Sequence, residues 1–316
     1  MKKFILYIMV LLLALSTATA ADVNVAALRG PTAMGMVALM NESEAGSVDG
    51  NNYTFQLEGA ADAVVPMIVR GDVDIAAIPG NLSSVLYQRT NGKIEVVAIN
   101  TLGVLYIVEN GNSVNSIEDL RGRVIYSAGR GATPEYALQY VLAANGLEVG
   151  KDVFIGWKSE HAECVAALNA DPDGVAMLPQ PFATTAMMSN PDIRIALDLN
   201  DLWEEKVGSV LITGVTVARK DWAEENPEAL SAFMESYKES VDFANEDITA
   251  AAALIGKYGI VPEKVAEKAL PYCQVTLITG DEMKTALSEY LGILYAQNPQ
   301  SVGGALPGDD FYYTGK

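Results

Sequence analysis

The chain has 316 residues, of which 50% are hydrophobic and 19% charged. That length supplies about two domains of ~150 residues, and the composition excludes a disordered chain, a coiled coil and a collagen-like repeat. A formal net charge of −19 repels phosphate backbones and acidic headgroups, which argues against nucleic-acid and peripheral-membrane roles.

Lys2 and Lys3 precede an unbroken apolar run from Phe4 to Leu15, followed by small residues and the Ala18-Thr19-Ala20 tripeptide. A basic start, a short apolar core and an A-x-A exit are the parts of a secretory signal peptide. The run falls short of the ~20 residues that a membrane-spanning helix needs. Residues 1–20 therefore read as an export signal, and the mature protein is expected to start at Ala21, soluble and periplasmic or otherwise exported. Cys164 and Cys273 read either as two buried apolar thiols in separate domains or as a disulfide formed in an oxidising compartment. With two distant cysteines and one histidine, no zinc-type cluster can be assembled, and neither a metal nor a cofactor is expected.

From Ala21 short apolar runs alternate with helical stretches. Val23–Leu28 reads as a strand, Ala33 to about Asn41 as a helix, Tyr53–Leu57 as a strand and Asp62–Val69 as a helix. Asp74–Ile78, the helix Leu82–Arg89 and the strand Ile94–Asn100 follow. The pattern then restarts with Leu105–Val108, a short helix Ile117–Leu120, the strand Val124–Ser127 and the helix Glu135–Ala144. Val153–Trp157, the helix Ala162–Leu168, Gly174–Leu178, Ile193–Leu197 and Leu211–Val217 continue it. After Arg219 the chain reads as almost wholly helical, with Asn226 as a cap and Pro227 at the first helical position. Ser301–Lys316 reads as a surface strap.

Strands alternating with helices of this length predict βαβ units and mostly parallel sheets. The fold class is α/β, with two Rossmann-like lobes and a ligand cleft at the hinge. For the last helices to cover the first sheet, the chain must return to it. This gives one lobe of residues 21–105 plus 213–316, a second of 106–212, and crossings near Leu105–Asn110 and Gly208–Gly214. Two crossings make a hinge.

Ligands of open parallel sheets sit beyond the strands' carboxyl ends, where loops feed helix starts. Five such loops stand out: Arg29–Thr32, Gly59-Ala60, Pro79–Asn81, Gly129–Thr133 and Pro179–Phe182. Helix starts bind anions through free backbone N–H groups and need no net basic charge. Arg29 and Arg130, one per lobe, add forked guanidinium groups suited to a carboxylate, sulfonate or phosphate. Arg29 reads equally as a partner for a surface acid, and the glycines around Arg130 also suit an ordinary tight turn. The candidate contacts are Arg29, Thr32, Gly59, Asn81, Thr101, Gly129, Arg130, Ala132, Thr133 and Gln180. Trp157, Tyr106, Tyr126 and Phe182 stand at strand ends or loop starts, where they read as core or as stacking platforms. His161, beside Glu160 and Glu163, reads as a surface residue at a helix start. No nucleophile–base–orienter set can be built around one histidine, so no catalytic residue is assigned.

Several segments taken in order carry a likeness: Ala27-Leu28-Arg29-Gly30-Pro31-Thr32, Gly71-Asp72-Val73-Asp74-Ile75-Ala76, Glu118–Ile125, Gly129–Thr133, Leu178-Pro179-Gln180-Pro181-Phe182 and Glu225-Asn226-Pro227-Glu228-Ala229-Leu230. Together they resemble the solute-binding proteins of ABC importers, of the nitrate/sulfonate/taurine/thiamine-precursor group. The resemblance implies the type II periplasmic binding fold. It also implies capture of a small molecule and its delivery to an ABC permease and ATPase, without fixing the ligand; the expectation from the loops above is a monomer that binds one small anionic or heteroaromatic solute. Family members often carry Glu where this chain has Gln180, which removes a negative charge. The alternative class is an enzyme on the same scaffold, similar to the chorismate dehydratases or pyrimidine synthases. Those enzymes are cytoplasmic, which the export signal opposes.

Overall fold

The computed structural model describes residues 20–315. The export-signal reading, placed on residues 1–20, lies outside the described residues except for Ala20. The first section of the chain runs β1 (Ala21–Leu28), α1 (Pro31–Met34), α2 (Val37–Ser43), β2 (Asn51–Glu58), α3 (Ala61–Arg70), β3 (Ile75–Pro79), α4 (Gly80–Arg89) and β4 (Ile94–Thr101). The second runs β5 (Leu105–Asn110), β6 (Val124–Ser127), α5 (Thr133–Ala144), β7 (Phe154–Trp157), α6 (His161–Ala170), β8 (Val175–Pro179), α7 (Phe182–Ser189), β9 (Ile193–Asp198) and α8 (Leu199–Val207). The last comprises β10 (Gly214–Arg219), α9 (Lys220–Glu225), α10 (Pro227–Glu246), α11 (Ile248–Lys257), α12 (Glu263–Ala269), β11 (Val275–Ile278) and α13 (Gly280–Gln297).

These strands form two mixed sheets, one of six strands in the order β11-β4-β10-β3-β1-β2 and one of five in the order β7-β6-β8-β5-β9. Alternation along each strand sends side chains to both faces. On β1 and β3, Val23, Val25, Ala27, Ile75 and Ala77 pack with α2, α10 and α11, whereas Ala26, Ala76 and Ile78 face α3, α4 and α13. Helices thus cover both faces, which is why the strands read as near-continuous apolar runs. In the smaller sheet Tyr106 and Val108 pack with α6 and α7, and Ile107 packs with α5 and α8. Trp203 of α8 lies between Tyr140 and Tyr290, at ring separations of 4.8 and 5.8 Å, so one apolar core runs from the five-stranded sheet to α13 beside the other sheet.

Within each sheet most strands share one direction, and the reversed strands have a topological cause. The chain leaves β4 at its carboxyl end and reaches the second sheet from the side where that sheet's strands also end. It must therefore run against them. β5 is antiparallel to β8 and β9, with Leu105 opposite Pro179. The returning strand β10 is antiparallel to β3 and β4, with Gly214 opposite both Pro79 and Thr101. The two crossing segments, Leu102–Val104 and 209–213, are bonded to each other: Thr213 N donates to the Thr101 carbonyl at 3.1 Å, and Thr213 Oγ1 donates to the Leu102 carbonyl.

Several local expectations are corrected by tertiary contacts. The helix expected from Ala33 breaks at Gly35-Met36, where a Cβ on Gly35 would lie 2.9 Å from both Val241 and Val275. The strand expected from Leu211 begins at Gly214, because Leu211 and Ile212 are buried in the crossing. The terminal section is almost wholly helical as expected, but it also holds β11, four residues that add an unexpected edge strand beside β4. Asn226 stands at the N-cap position of α10 as expected, but its side chain makes no cap bond; its Nδ2 donates back to the Trp222 carbonyl at 2.9 Å. Helix α8 has no counterpart among the expected elements, although Asp198 caps it by accepting from Asn200 N at 2.8 Å. Cys164 and Cys273 are free and buried, in different apolar clusters. Among the described residues no helix is long and apolar enough to cross a membrane, and no cluster of His, Cys, Asp and Glu fit for a metal occurs.

Candidate functional site

The carboxyl ends of β1, β3, β4, β6 and β8 point into the space between the sheets, and a cavity of about 130 Å³ lies there. Its wall is built at these strand ends, from Leu28–Thr32, Pro79, Thr101, Val104-Leu105, Ala128-Gly129 with Ala132, and Pro179. Gly59–Ala61 joins from the start of α3, and Ser159–His161 from the start of α6. Thus α1, α3, α5 and α6 all begin at the cavity, and none has a side-chain cap. The first N–H groups of a helix have no intrahelical acceptor; α3 and α6 therefore turn free donors and partial positive charge towards this space, while Pro31 and Pro134 leave α1 and α5 with fewer N–H groups to offer.

Of the ten expected contacts, Arg29, Thr32, Gly59, Thr101, Gly129 and Ala132 line this cavity. Arg29 is held by its backbone N–H, which donates to the Glu58 carbonyl at 2.8 Å, while its guanidinium makes long contacts of 3.3 and 3.4 Å to the Leu57 carbonyl. Thr32 spends its hydroxyl on the Leu28 carbonyl at 3.0 Å. Gly129 has φ of 79° and Gly131 of 77°, a left-handed conformation that suits glycine and turns the loop sharply into α5.

The other four lie outside the wall. Arg130 is exposed between those glycines. Asn81 is fully buried and bonds to Thr133, to the Gly131 carbonyl at 3.2 Å and to the Ser301 carbonyl at 2.9 Å. Thr133 accepts a hydrogen bond from Tyr290 Oη at 3.1 Å. Gln180 is buried against α7, its Oε1 accepting from Thr184 Oγ1 at 2.8 Å. Ser83, another helix-start hydroxyl, donates to the Gly80 carbonyl at 2.6 Å. Among the four aromatic candidates Phe182 reaches the cavity. Tyr106 is core, Tyr126 bonds Asp171 at 3.1 Å, and Trp157 is half-buried at the end of β7.

His161, expected on the surface, stands in the cavity wall with its ring 5.3 Å from that of Phe182. Its Nδ1 is buried without a hydrogen-bond partner. Burial pushes its pKa down to about 4, so the ring is neutral at pH 7. The signal was available in the sequence: Lys158-Ser159-Glu160 stands between a strand and a helix, the same kind of junction as Gly129–Thr133. Arg29 and Glu160 are the formal charges among the lining residues, and the rest of the wall is largely Pro, Ala, Leu, Val and Phe. The arrangement suits a compact molecule with one anionic group and an apolar body.

Residues 47–266 match a family described as the phosphonate periplasmic substrate-binding protein of ABC transporters. No curated protein matches the chain. Among solved structures, an ABC transporter protein from Parabacteroides distasonis superposes with a TM-score of 0.77 at 21% identity, over 93% of this chain and 99% of that one. The alkanesulfonate-binding protein from Xanthomonas axonopodis pv. citri, solved with MOPS bound, gives 0.71 at 15% identity over 91% and 95%. The periplasmic nitrate-binding protein of Synechocystis PCC 6803 gives 0.64 at 14% identity over 94% and 92%. At these identities the likeness is one of fold.

Proposed function

The chain belongs to the periplasmic substrate-binding family of ABC phosphonate transporters, and on that premise we propose that it captures a small organic anion between its two sheets and delivers it to a membrane permease with its ATPase. The observation that carries the choice of an anion is the convergence of the uncapped starts of α3, α5 and α6 with Arg29 on one cavity. Local dipoles of this kind hold an anion even in a chain of net charge −19, because the field that matters is that of the first helical turn. The apolar remainder of the wall favours an anion with a carbon body over a bare inorganic ion. The protein acts as an exported monomer without catalysis. Its lobes divide as residues 21–105 plus 213–316 and 106–212, and closure around the solute is a population shift that presents one form to the permease.

The test is native mass spectrometry of the purified protein for a co-purifying small molecule, followed by titration calorimetry with alkyl- and arylsulfonates, the matching phosphonates and nitrate. Binding of an organic anion with one site per chain is expected. Saturable binding confined to cationic or uncharged solutes would end this reading.

A further inference from the structure

We infer that the cavity sorts anions by charge, taking a singly charged group such as a sulfonate over a doubly charged one such as a phosphonate dianion, and that Glu160 is the residue that sets this preference. The inference deepens the anion reading above and rests on it. Glu160 stands at the N-cap position of α6, yet its side chain makes no cap bond there. Glu163, one turn on, serves that junction instead and accepts from Ser159 N at 2.9 Å. The Glu160 carboxylate lies against Gly59 at the start of α3: a Cβ on that glycine would come within 2.9 Å of Oε1, 3.0 Å of Cδ and 3.2 Å of Oε2. Gly59 follows β2 of the six-stranded sheet and Glu160 follows β7 of the five-stranded one, so the carboxylate reaches from one side of the cavity to the other. Both residues line the cavity and both are exposed, which places the contact at its rim.

A full negative charge thus stands where α3 and α6 begin. A helix start supplies about +0.5 of a charge, and one carboxylate offsets roughly what two such starts provide. Arg29 does not neutralise it, because the guanidinium turns to the Leu57 carbonyl. No ion pair among the described residues includes Glu160. Asp62, Glu135 and Glu163, in the first turns of α3, α5 and α6, lie outside the wall and weaken the helix starts further. The positive charge left to hold a solute is close to that of Arg29 alone, which matches a monoanion. A dianion brings its second charge into a cavity of about 130 Å³ walled in part by Glu160. Like charges at that range repel, and water at the rim reduces the repulsion without removing it.

The test is calorimetric titration at about pH 9 with three probes of equal heavy-atom count. Ethanesulfonate and the monomethyl ester of methylphosphonate each carry one charge, whereas ethylphosphonate carries two at that pH. The ester separates charge from the choice of sulfur or phosphorus. Wild type is expected to bind both monoanions about tenfold more tightly than the dianion. Glu160→Gln keeps the size of an exposed side chain and is expected to narrow that gap to about twofold, by strengthening the dianion more than the monoanions. Added salt is expected to narrow the gap in wild type and to leave it unchanged in Glu160→Gln, a readout that a merely structural role would not move. A gap of the same size in the two proteins, or a wild type that favours the dianion, overturns the inference while the anion reading stands. If no probe binds either protein, the anion reading fails and takes the inference with it.

Discussion

Asn81 at the start of α4 and Thr133 at the start of α5 hydrogen-bond across the space between the two sheets. Thr133 Oγ1 donates to Asn81 Oδ1 at 3.2 Å, and Asn81 N reaches Thr133 Oγ1 at 3.4 Å. Tyr290 Oη donates to the same threonine, and Asn81 Nδ2 donates to the carbonyls of Gly131 and Ser301. Two residues with the look of ligand contacts thus spend their polar atoms on holding the halves together.

Asn81→Ala leaves buried acceptors at Gly131 and Ser301 and removes the acceptor of Thr133. The loss expected from such unpaired groups is about 1–3 kcal/mol, read as a lower urea midpoint. An unchanged midpoint would show that the network contributes nothing to stability.

Gly103 lies in the first crossing, where a Cβ would come 2.3 Å from Asn200 Oδ1 and 2.9 Å from Asn200 Cβ. Asn200 in turn holds the start of β5, accepting from Leu105 N at 3.2 Å and donating to its carbonyl at 3.3 Å. Gly103→Ala is expected to displace Asn200 and cost about 1–3 kcal/mol through overpacking. Gly292, inside α13 with open space around it, gives the opposite sign, since Gly292→Ala should add about 0.4–1 kcal/mol. Denaturant titration of the two variants checks both, and a like sign for the pair would defeat the packing argument.

Arg29 lines the cavity and Arg130 does not. Arg29→Ala is expected to weaken sulfonate or phosphonate binding roughly tenfold to hundredfold, the range of a hydrogen bond to a charged group. Arg130→Ala is expected to bind like wild type. Calorimetric affinities that ranked the two variants the other way would place the anion at the α5 loop instead.

The imidazole of His161 sits at about 4 in the folded protein against an ordinary 6.5 because burial disfavours its charged form. The unfolded chain therefore takes up this proton first. The contribution to stability is complete above pH 6.5 and is lost as pH falls from there towards 4. Glu160 and Glu163 are sequence neighbours of the ring and Arg29 lines the same cavity, so the readout is the difference between wild type and His161→Phe. The melting temperature of wild type should drop more steeply across that window. Parallel curves would show that the folded ring titrates normally.

The legible part of the fold was local. The strand Val124–Ser127 matches β6 residue for residue, and Pro227 starts α10 as its fixed φ suggests. Apolar runs and loop-to-helix junctions are properties of neighbouring residues, and the convergence of helix starts came from them. β11 escaped because four residues between two helices carry no period of their own, and their strand character comes from the open edge of β4.

A chain that alternates strand and helix, with arginines and glycines at its junctions, already specified an α/β scaffold with ligand loops at the strand ends, since backbone preference and apolar period act within a few residues. Which loops face one another was left to long-range packing. Folding put Asn81 against Thr133, left Arg130 exposed outside the wall, and brought His161 into the wall beside Phe182. The reason is geometric. A residue's direction at a strand end is set by the chain's own turn, whereas its neighbour across the cleft is set by how two sheets, joined through paired crossings, come to rest on each other.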